Sequence, residues 1–311
     1  MRVSVIVPAH DAARLLPRML RALAAQELDG GHEVIVVDDG SSDGTAAVAE
    51  AAGVRVLRRE RPGGPGAARN DGAAVAAGEA LAFLDADCVP APGWLSAGAA
   101  ALDDAGLVQG RVEPDPDAER GAFDRTLWVT RATGLFESAN LFVRRQVFER
   151  LGGFDPGLRE LAGDHFGEDV ILGWRARRAG VETAFCDGAL AYHAVFPRPA
   201  AEFVRERRRL VLFPHLARRV PELRDEFFYR RWFLSPRSAS VALAAAGAVA
   251  LASRRTPAIA LGAAAAVPYA CVLAADARAA GVRVALVRAA ADAVGLAALS
   301  RGSIAARTPV L

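Results

Sequence analysis

Glu33-Val34-Ile35-Val36-Val37-Asp38-Asp39-Gly40-Ser41-Ser42-Asp43-Gly44-Thr45 reads as a strand that stops at two carboxylates and turns into a capped helix. The β-branched run from Glu33 to Val37 suits a buried strand. Asp38-Asp39-Gly40 ends it, and Ser41, Ser42 and Asp43 offer N-caps to a helix from about Thr45 to Ala52. The same unit repeats on both sides. Val3 to Val7 is a first strand ended by Pro8, followed by helical periodicity from Leu15 to Leu23. Val54 to Leu57 is a third strand, and the loop Pro62-Gly63-Gly64-Pro65-Gly66 opens a helix through Ala77. Ala80 to Leu84 is a fourth strand, ended by Asp85-Ala86-Asp87. This alternation predicts an α/β fold, with a mostly parallel sheet flanked by helices on both faces. Ligands bind such sheets beyond the carboxyl ends of the strands. The strand ends at Pro8, Asp38 and Asp85 are therefore expected to share one crevice.

From Leu107 onward the pattern weakens. Strands are expected around Val108 to Val112 and Ala139 to Val143, with a helix from Arg144 to Leu151 closed by Gly152-Gly153. A stronger helix runs from Asp169 to Ala179, stopped by Gly180, and Ala184-Phe185 and Ala189 to His193 read as late strands. The expected organisation is an α/β domain over residues 1–200, a basic helical segment over 201–237, and an apolar helical hairpin with a tail over 238–311.

The 311 residues fit one large domain with an appendage. A formal charge of +2 gives no nucleic-acid signature. Arginines do crowd between Arg205 and Arg237, where they fit either an anionic lipid or phosphorylated partner, or a solvated face balanced by Glu202, Glu206, Glu222 and Glu226. Cys88, Cys186 and Cys271 are odd in number and far apart, so no disulfide framework or zinc spacing follows and a reducing compartment is expected. The first residues run straight into a strand pattern without a basic leader, so no signal peptide is expected.

After Arg237 the character changes. Ser238 to Ser253 and Pro257 to Ala275 carry no charge and are separated by Arg254-Arg255-Thr256. A membrane helix needs about 20 apolar residues. The second stretch nearly meets that and the first is short, so the expectation is a two-helix membrane hairpin, with a soluble Ala-rich helical pair as the alternative. Mean hydropathy of +0.19 and 52% hydrophobic residues favour the hairpin. Arg278, Arg283 and Arg288, together with the basic segment, outnumber the arginines of the turn, so the positive-inside rule keeps the α/β domain cytoplasmic. Val282 to Leu299 carries Arg288 and Asp292 and reads as interfacial.

Four motifs can carry chemistry. Phe83-Leu84-Asp85-Ala86-Asp87 places two carboxylates at a strand end, where carboxylate oxygens can hold a divalent cation against a diphosphate; alone, such a pair is also an acidic turn. Asp38-Asp39 follows the second strand, where a carboxylate can accept hydrogen bonds from a base or a ribose hydroxyl, and helix capping does not require that pair. Gly66-Ala67-Ala68-Arg69-Asn70-Asp71-Gly72 enters a helix from a Gly-rich loop, a setting that suits phosphate, with Arg69 as a fixed charge. Phe166-Gly167-Glu168-Asp169 opens a helix that continues Val170-Ile171-Leu172-Gly173-Trp174-Arg175; its carboxylates are either caps or a general base.

The order of these motifs resembles family 2 glycosyltransferases of the GT-A nucleotide-diphospho-sugar transferase fold. Val5-Ile6-Val7-Pro8-Ala9-His10-Asp11 is similar to that family's first-strand signature, with His10-Asp11 where Tyr-Asn is common. Gly152-Gly153-Phe154-Asp155 looks like its mid-domain motif, and Gly302 to Leu311 resembles the tails of membrane-associated bacterial members. The resemblance implies an inverting transfer of a sugar from a nucleotide-diphosphate donor to an acceptor hydroxyl. It implies Pro8, Ala9 and Asp39 on the nucleoside, with Arg69 and Asp85 near the nucleotide. A divalent metal, Mn²⁺ or Mg²⁺, would sit on Asp87 and Asp85, with His193 where some GT-A enzymes place a metal-ligating histidine. Asp169 would be the catalytic base, with Glu168, Trp174 and Arg175 on the acceptor side. The expected partners are a sugar nucleotide and a glycan or lipid-linked acceptor of the cell envelope, at a membrane. A nucleotidyltransferase would instead want a basic Gly-rich loop right after the first strand, where Pro8-Ala9-His10-Asp11 stands. A non-catalytic sugar-nucleotide binder would lack Asp169, and a dinucleotide dehydrogenase would need G-x-G-x-x-G after that strand.

Overall fold

The structure is a computed structural model describing residues 1–155, 166–252 and 256–311, except the side chains of 256–258. Its chain forms two units, Met1–Glu119 with Thr126–Phe196, and Arg120–Arg125 with Pro197–Leu311.

The first unit is built on an eight-stranded sheet. In chain order its strands are β1 (Val3–Ala9), β2 (His32–Asp38), β3 (Arg55–Arg58), β4 (Ala80–Leu84), β5 (Cys88–Pro90), β6 (Leu107–Pro114), β7 (Asn140–Arg144) and β8 (Thr183–His193). Their spatial order is β3-β2-β1-β4-β7-β6-β8-β5. The half β3-β2-β1-β4 is parallel, and Ala9 pairs with Asp38, so the polar ends of β1 and β2 emerge side by side. The flanking helices are α1 (Leu16–Ala24), α2 (Thr45–Ala51), α3 (Pro65–Val75), α4 (Trp94–Ala101), α5 (Arg145–Arg150) and α6 (Glu168–Arg178). β1 and β4 are buried along their whole length, which is why they read as continuous apolar runs. Helix α3 lies tight on the sheet because Gly72 has no side chain; a Cβ there would come 2.5 Å from Ile6 Cγ2.

Beyond β4 the sheet is mixed. β7 runs antiparallel to both β4 and β6, so its N-terminal end, not its C-terminal end, arrives at the ligand edge. The two late strands expected from the sequence are one strand, β8, whose pairing with β6 shifts register between Gly110 and Arg111. Asn140 repairs that break. It is fully buried, donates to the carbonyls of Arg111 and Ala189 at 2.8 and 2.7 Å, and accepts from Trp94 Nε1 at 2.9 Å. Asn140→Leu leaves all three partners dry and unpaired. Each buried orphan costs roughly 1–3 kcal/mol, so urea titration should show a loss of about 3–5 kcal/mol. A change below 1 kcal/mol would mean that water satisfies the bulge.

The second unit is helical: α7 (Ala200–Glu206), a 3₁₀ turn (Arg207–Leu212), α8 (Phe213–Arg219), α9 (Leu223–Glu226), α10 (Pro236–Ala252), α11 (Thr256–Ala280) and α12 (Val282–Ala306). α10 and α11 cross closely at two glycines, since a Cβ on Gly247 would lie 2.7 Å from the Gly262 carbonyl oxygen. The Arg254-Arg255 turn between them lies outside the described residues. Among the described residues one stretch, Ile259–Ala280, is long and apolar enough to cross a membrane, and only 11% of its apolar window is buried. Pro236–Ala252 is apolar but shorter. An ionic network ties the three long helices: Arg237 grips Asp292 at 2.7 and 2.9 Å and Asp276 at 2.7 Å, Arg288 pairs with Asp276, and Tyr269 donates to Asp292 at 2.8 Å.

Candidate active site

At the carboxyl edge of the parallel half lies an open cleft of about 440 Å³, lined by Pro8, Arg69, Asp85, Asp87, Glu168 and Asp169 among others. Six residues singled out from four separate motifs thus share one cavity. Ala9, Asp39, Trp174 and Arg175 are not in its lining, and His193 joins it through Asp87.

Arg69 is the hub. It projects from the first turns of α3, is 3% exposed, pairs with Asp85, and holds Nη1 3.5 Å from Glu168 Oε1. Its guanidinium lies 5.5 Å over the Phe154 ring. Asn70 fixes that ring from the next position: its amide donates to the Phe154 carbonyl and accepts the Phe154 N–H, both at 2.8 Å. The Ala-Arg-Asn and Gly-Gly-Phe-Asp motifs are therefore one clasp that seats the arginine. Arg69 Nε and Nη1 are buried without a hydrogen-bond partner, so the guanidinium is held by the Asp85 pair through Nη2 and by the charge of Glu168.

Gly167 has φ +80, a left-handed turn that directs the chain into α6 and sets Glu168 and Asp169 in its first turn. Asp169 accepts the Ser138 N–H at 3.3 Å and the Val170 N–H at 2.8 Å. Loss of water around its carboxyl, reinforced by the neighbouring Glu168 charge, pushes Asp169 up to about 8. Glu137 also lines the cleft, and burial raises it as well. Glu137 was not legible from sequence; it comes to the cleft because β7 enters the sheet in reverse.

β8 pairs antiparallel with β5, which aligns His193 with Cys88 and brings His193 Nε2 to 3.3 Å from Asp87 Oδ2. His193 Nδ1 lies 2.6 Å from the Ala194 carbonyl, an obligate acceptor, so Nδ1 carries a proton. Nε2 then faces the Asp87 carboxylate. A carboxylate and an imidazole with a fixed tautomer form a donor pair suited to a divalent metal. Asp85 is turned instead to Arg69, and among the described residues no three His, Cys, Asp or Glu side chains converge on one point. Mg²⁺-type sites often use one or two protein ligands plus substrate phosphates, so the pair fits the metal expected from the sequence.

Asp39 is 5% exposed and engaged from inside: it accepts the Gly63 and Gly64 N–H groups at 2.9 and 2.7 Å and pairs with Arg59 at 2.8 Å. Its carboxylate therefore holds the loop 59–64 against the end of β2. Opposite it, Asp11 accepts the Ser42 N–H at 2.8 Å, and Asp43 accepts the Ala13 N–H at 3.1 Å, stitching together the loops after β1 and β2. Trp174 donates to the Gly134 carbonyl at 2.9 Å, and Arg175 bonds the Gly153 carbonyl. Both brace the loops around the cleft.

The family model described as "Glycosyl transferase family 2" matches residues 4–166, and "Glycosyltransferase like family 2" matches residues 129–212. The chain belongs to glycosyltransferase family 2. As a member of that family it is a transferase. It is 31% identical over 224 residues to glycosyltransferase AglE of Haloferax volcanii, covering 67% of this chain and 71% of that one. It is 30% identical over 210 residues to a pre-mycofactocin glycosyltransferase of Mycobacterium tuberculosis, and there it spans 42% of the relative's length and 61% of its own. Among solved structures, mannosyltransferase PcManGT from Pyrobaculum calidifontis, in complex with GDP-Man and Mn²⁺, matches with a TM-score of 0.60 and 25% identity over 94% of this chain and 86% of that chain. Residues 1–349 of S. aureus TarS match at 0.53 and 20% identity, over 98% of this chain and 91% of that one. These neighbours share the GT-A architecture of the family 2 unit.

Proposed function

We propose that this family 2 enzyme moves a sugar from a nucleoside-diphosphate donor to an acceptor hydroxyl by one in-line, inverting displacement. The observation that carries the reading is Asp169, a cleft carboxyl whose proton affinity is raised to about 8, where it can accept a proton near neutral pH. Asp169 takes the acceptor's hydroxyl proton as that oxygen bonds to the anomeric carbon. The bond from that carbon to the diphosphate oxygen breaks, and its electron pair leaves with the nucleotide. Arg69 keeps a fixed positive charge in the cleft, and Glu168 beside it raises the basicity of Asp169. Asp87 and His193, with Asp85 adjoining, would hold a divalent cation, which when bound supplies Lewis-acid neutralisation of the departing phosphates. Pro8, Ala9 and Asp39 form the nucleoside end, Asp39 through the loop it pins. Glu168, Trp174 and Arg175 shape the acceptor side, the last two by bracing its loops.

The long apolar stretch of α11 and the basic segment before α10 support attachment to a membrane with the catalytic unit in the cytoplasm. A lipid-linked or cell-envelope acceptor fits that placement. The test is a thermal-shift panel of UDP-, GDP- and dTDP-sugars with Mn²⁺ or with EDTA, on wild type and Asp87→Ala. At a donor concentration of 100 Kd the stabilisation should be about 2.7 kcal/mol. It should require metal, occur for one base, and vanish in Asp87→Ala. Equal shifts in EDTA would sink the metal assignment.

A further inference from the structure

The second unit holds a cavity of its own, about 410 Å³, which falls in the range of small-molecule sites. Phe203, Leu210, Val241, Leu296 and Leu299 supply apolar wall. Its polar side is formed by Arg207, Arg237, Arg288 and Asp292. The charges there do not cancel. Arg237 and Arg288 are committed to Asp292 and Asp276. Arg207 has no carboxylate partner among the described residues; its guanidinium rests 4.6 Å over the Phe203 ring, and the nearby Glu206 is taken by Arg198. Burial and then Arg198 destabilise the charged form of Arg207, and the Asp292 and Glu206 carboxylates, each already paired with another arginine, offset this only in part. A half-enclosed cation whose nearby carboxylates are committed to other arginines is an unfavourable arrangement that a bound anion relieves.

We infer that this cavity binds one amphiphile, with an anionic phosphoester head on Arg207 and an apolar chain along the leucine-lined wall. The occupant is a membrane phospholipid, because the cavity's own helices α10 and α12 flank the apolar helix α11, and Leu243, Leu261 and Val267 on α10 and α11 are 47%, 71% and 56% exposed. Arg237 and Asp292 line the cavity and belong to the network that fixes α10, α11 and α12, so the seat is preformed. The inference needs none of the catalytic roles above.

The full chain in mild detergent is titrated with dioctanoyl phosphatidylglycerol, dioctanoyl phosphatidylcholine or inorganic phosphate, with binding read by calorimetry and melting temperature. The anionic lipid should bind at least tenfold more tightly than the zwitterionic one. Arg207→Gln should weaken it tenfold or more, whereas Arg205→Gln, an equal loss of charge at an exposed neighbour, should change it less than twofold. Leu296→Trp keeps the arginine but fills the chain's space, and should also cost at least tenfold. Both variants should melt no lower than wild type without lipid, since one removes an uncompensated charge and the other fills a void. Equal effects of Arg207→Gln and Arg205→Gln would overturn the site in favour of general basicity. Phosphate binding as tightly as the lipid would overturn the apolar half, and no preference between the lipids would overturn the anionic half.

Discussion

Asp169→Asn should lower sugar transfer by about 100- to 10,000-fold, leave donor binding within about twofold of wild type, and make the folded protein more stable. The first effect is the size expected for loss of a positioned general base. The second follows because Asn keeps the shape and its carbonyl oxygen can still accept the shorter of the two bonds, the Val170 N–H on Oδ1, losing only the longer one from Ser138 to Oδ2. The third follows from linkage. Asp169 rises from 3.8 to about 8 on folding, so between those values the folded chain holds a proton that the unfolded chain has released. Its contribution to stability is intact below pH 4, declines as pH rises, and levels off above about 8. Asn does not titrate. The melting-temperature gain of Asp169→Asn should therefore be absent near pH 4 and largest above pH 8. In wild type, kcat/KM should climb with pH toward the same value as Asp169 ionises. A variant that is inactive but destabilised at pH 8 would assign Asp169 a structural role instead.

How far the sequence foretells this site depends on whether a signal is local. β4 could be read to the residue, Ala80 to Leu84, because it is a buried apolar run bounded by turn chemistry. The three-residue β5 could not, since Cys88–Pro90 is a strand only through its pairing with β8. Helix α4 gave no signal either: Gly93 caps it without a side-chain bond, and burial of Trp94 and Leu95 holds it in place. The same division runs through the cleft. Arg69, Asp85, Asp87, Glu168 and Asp169 announce themselves by motif. Glu137 sits in a stretch of weak pattern and reaches the cleft only through the reversed direction of β7. Asp39 is legible as a strand-end carboxylate, but nothing local shows that Arg59, Gly63 and Gly64 already occupy it. The chain's direction through the sheet is set by long-range packing, and short patterns do not encode it.

Arg69→Met should cost both stability and rate, unlike Asp169→Asn. The guanidinium is the buried cation between Asp85 and Glu168, and Asp169 also feels its charge. Methionine fills the volume over Phe154 but strands the carboxylates. Breaking a buried pair from one side costs about 3–5 kcal/mol, so the melting temperature should fall by roughly 10 °C. Loss of a fixed positive charge opposite the departing diphosphate should lower kcat by about 100- to 1,000-fold. These two losses are separable. Asp85→Asn on the Arg69→Met background removes one stranded charge and should recover part of the stability but none of the rate. Arg69→Lys should recover less than half of either, because one compact ammonium cannot reach Asp85 and Glu168 together from the place a planar fork now spans. If the double variant regains activity along with its melting temperature, Arg69 acts only by holding the fold, and the charge that stabilises the leaving group has to come from another residue.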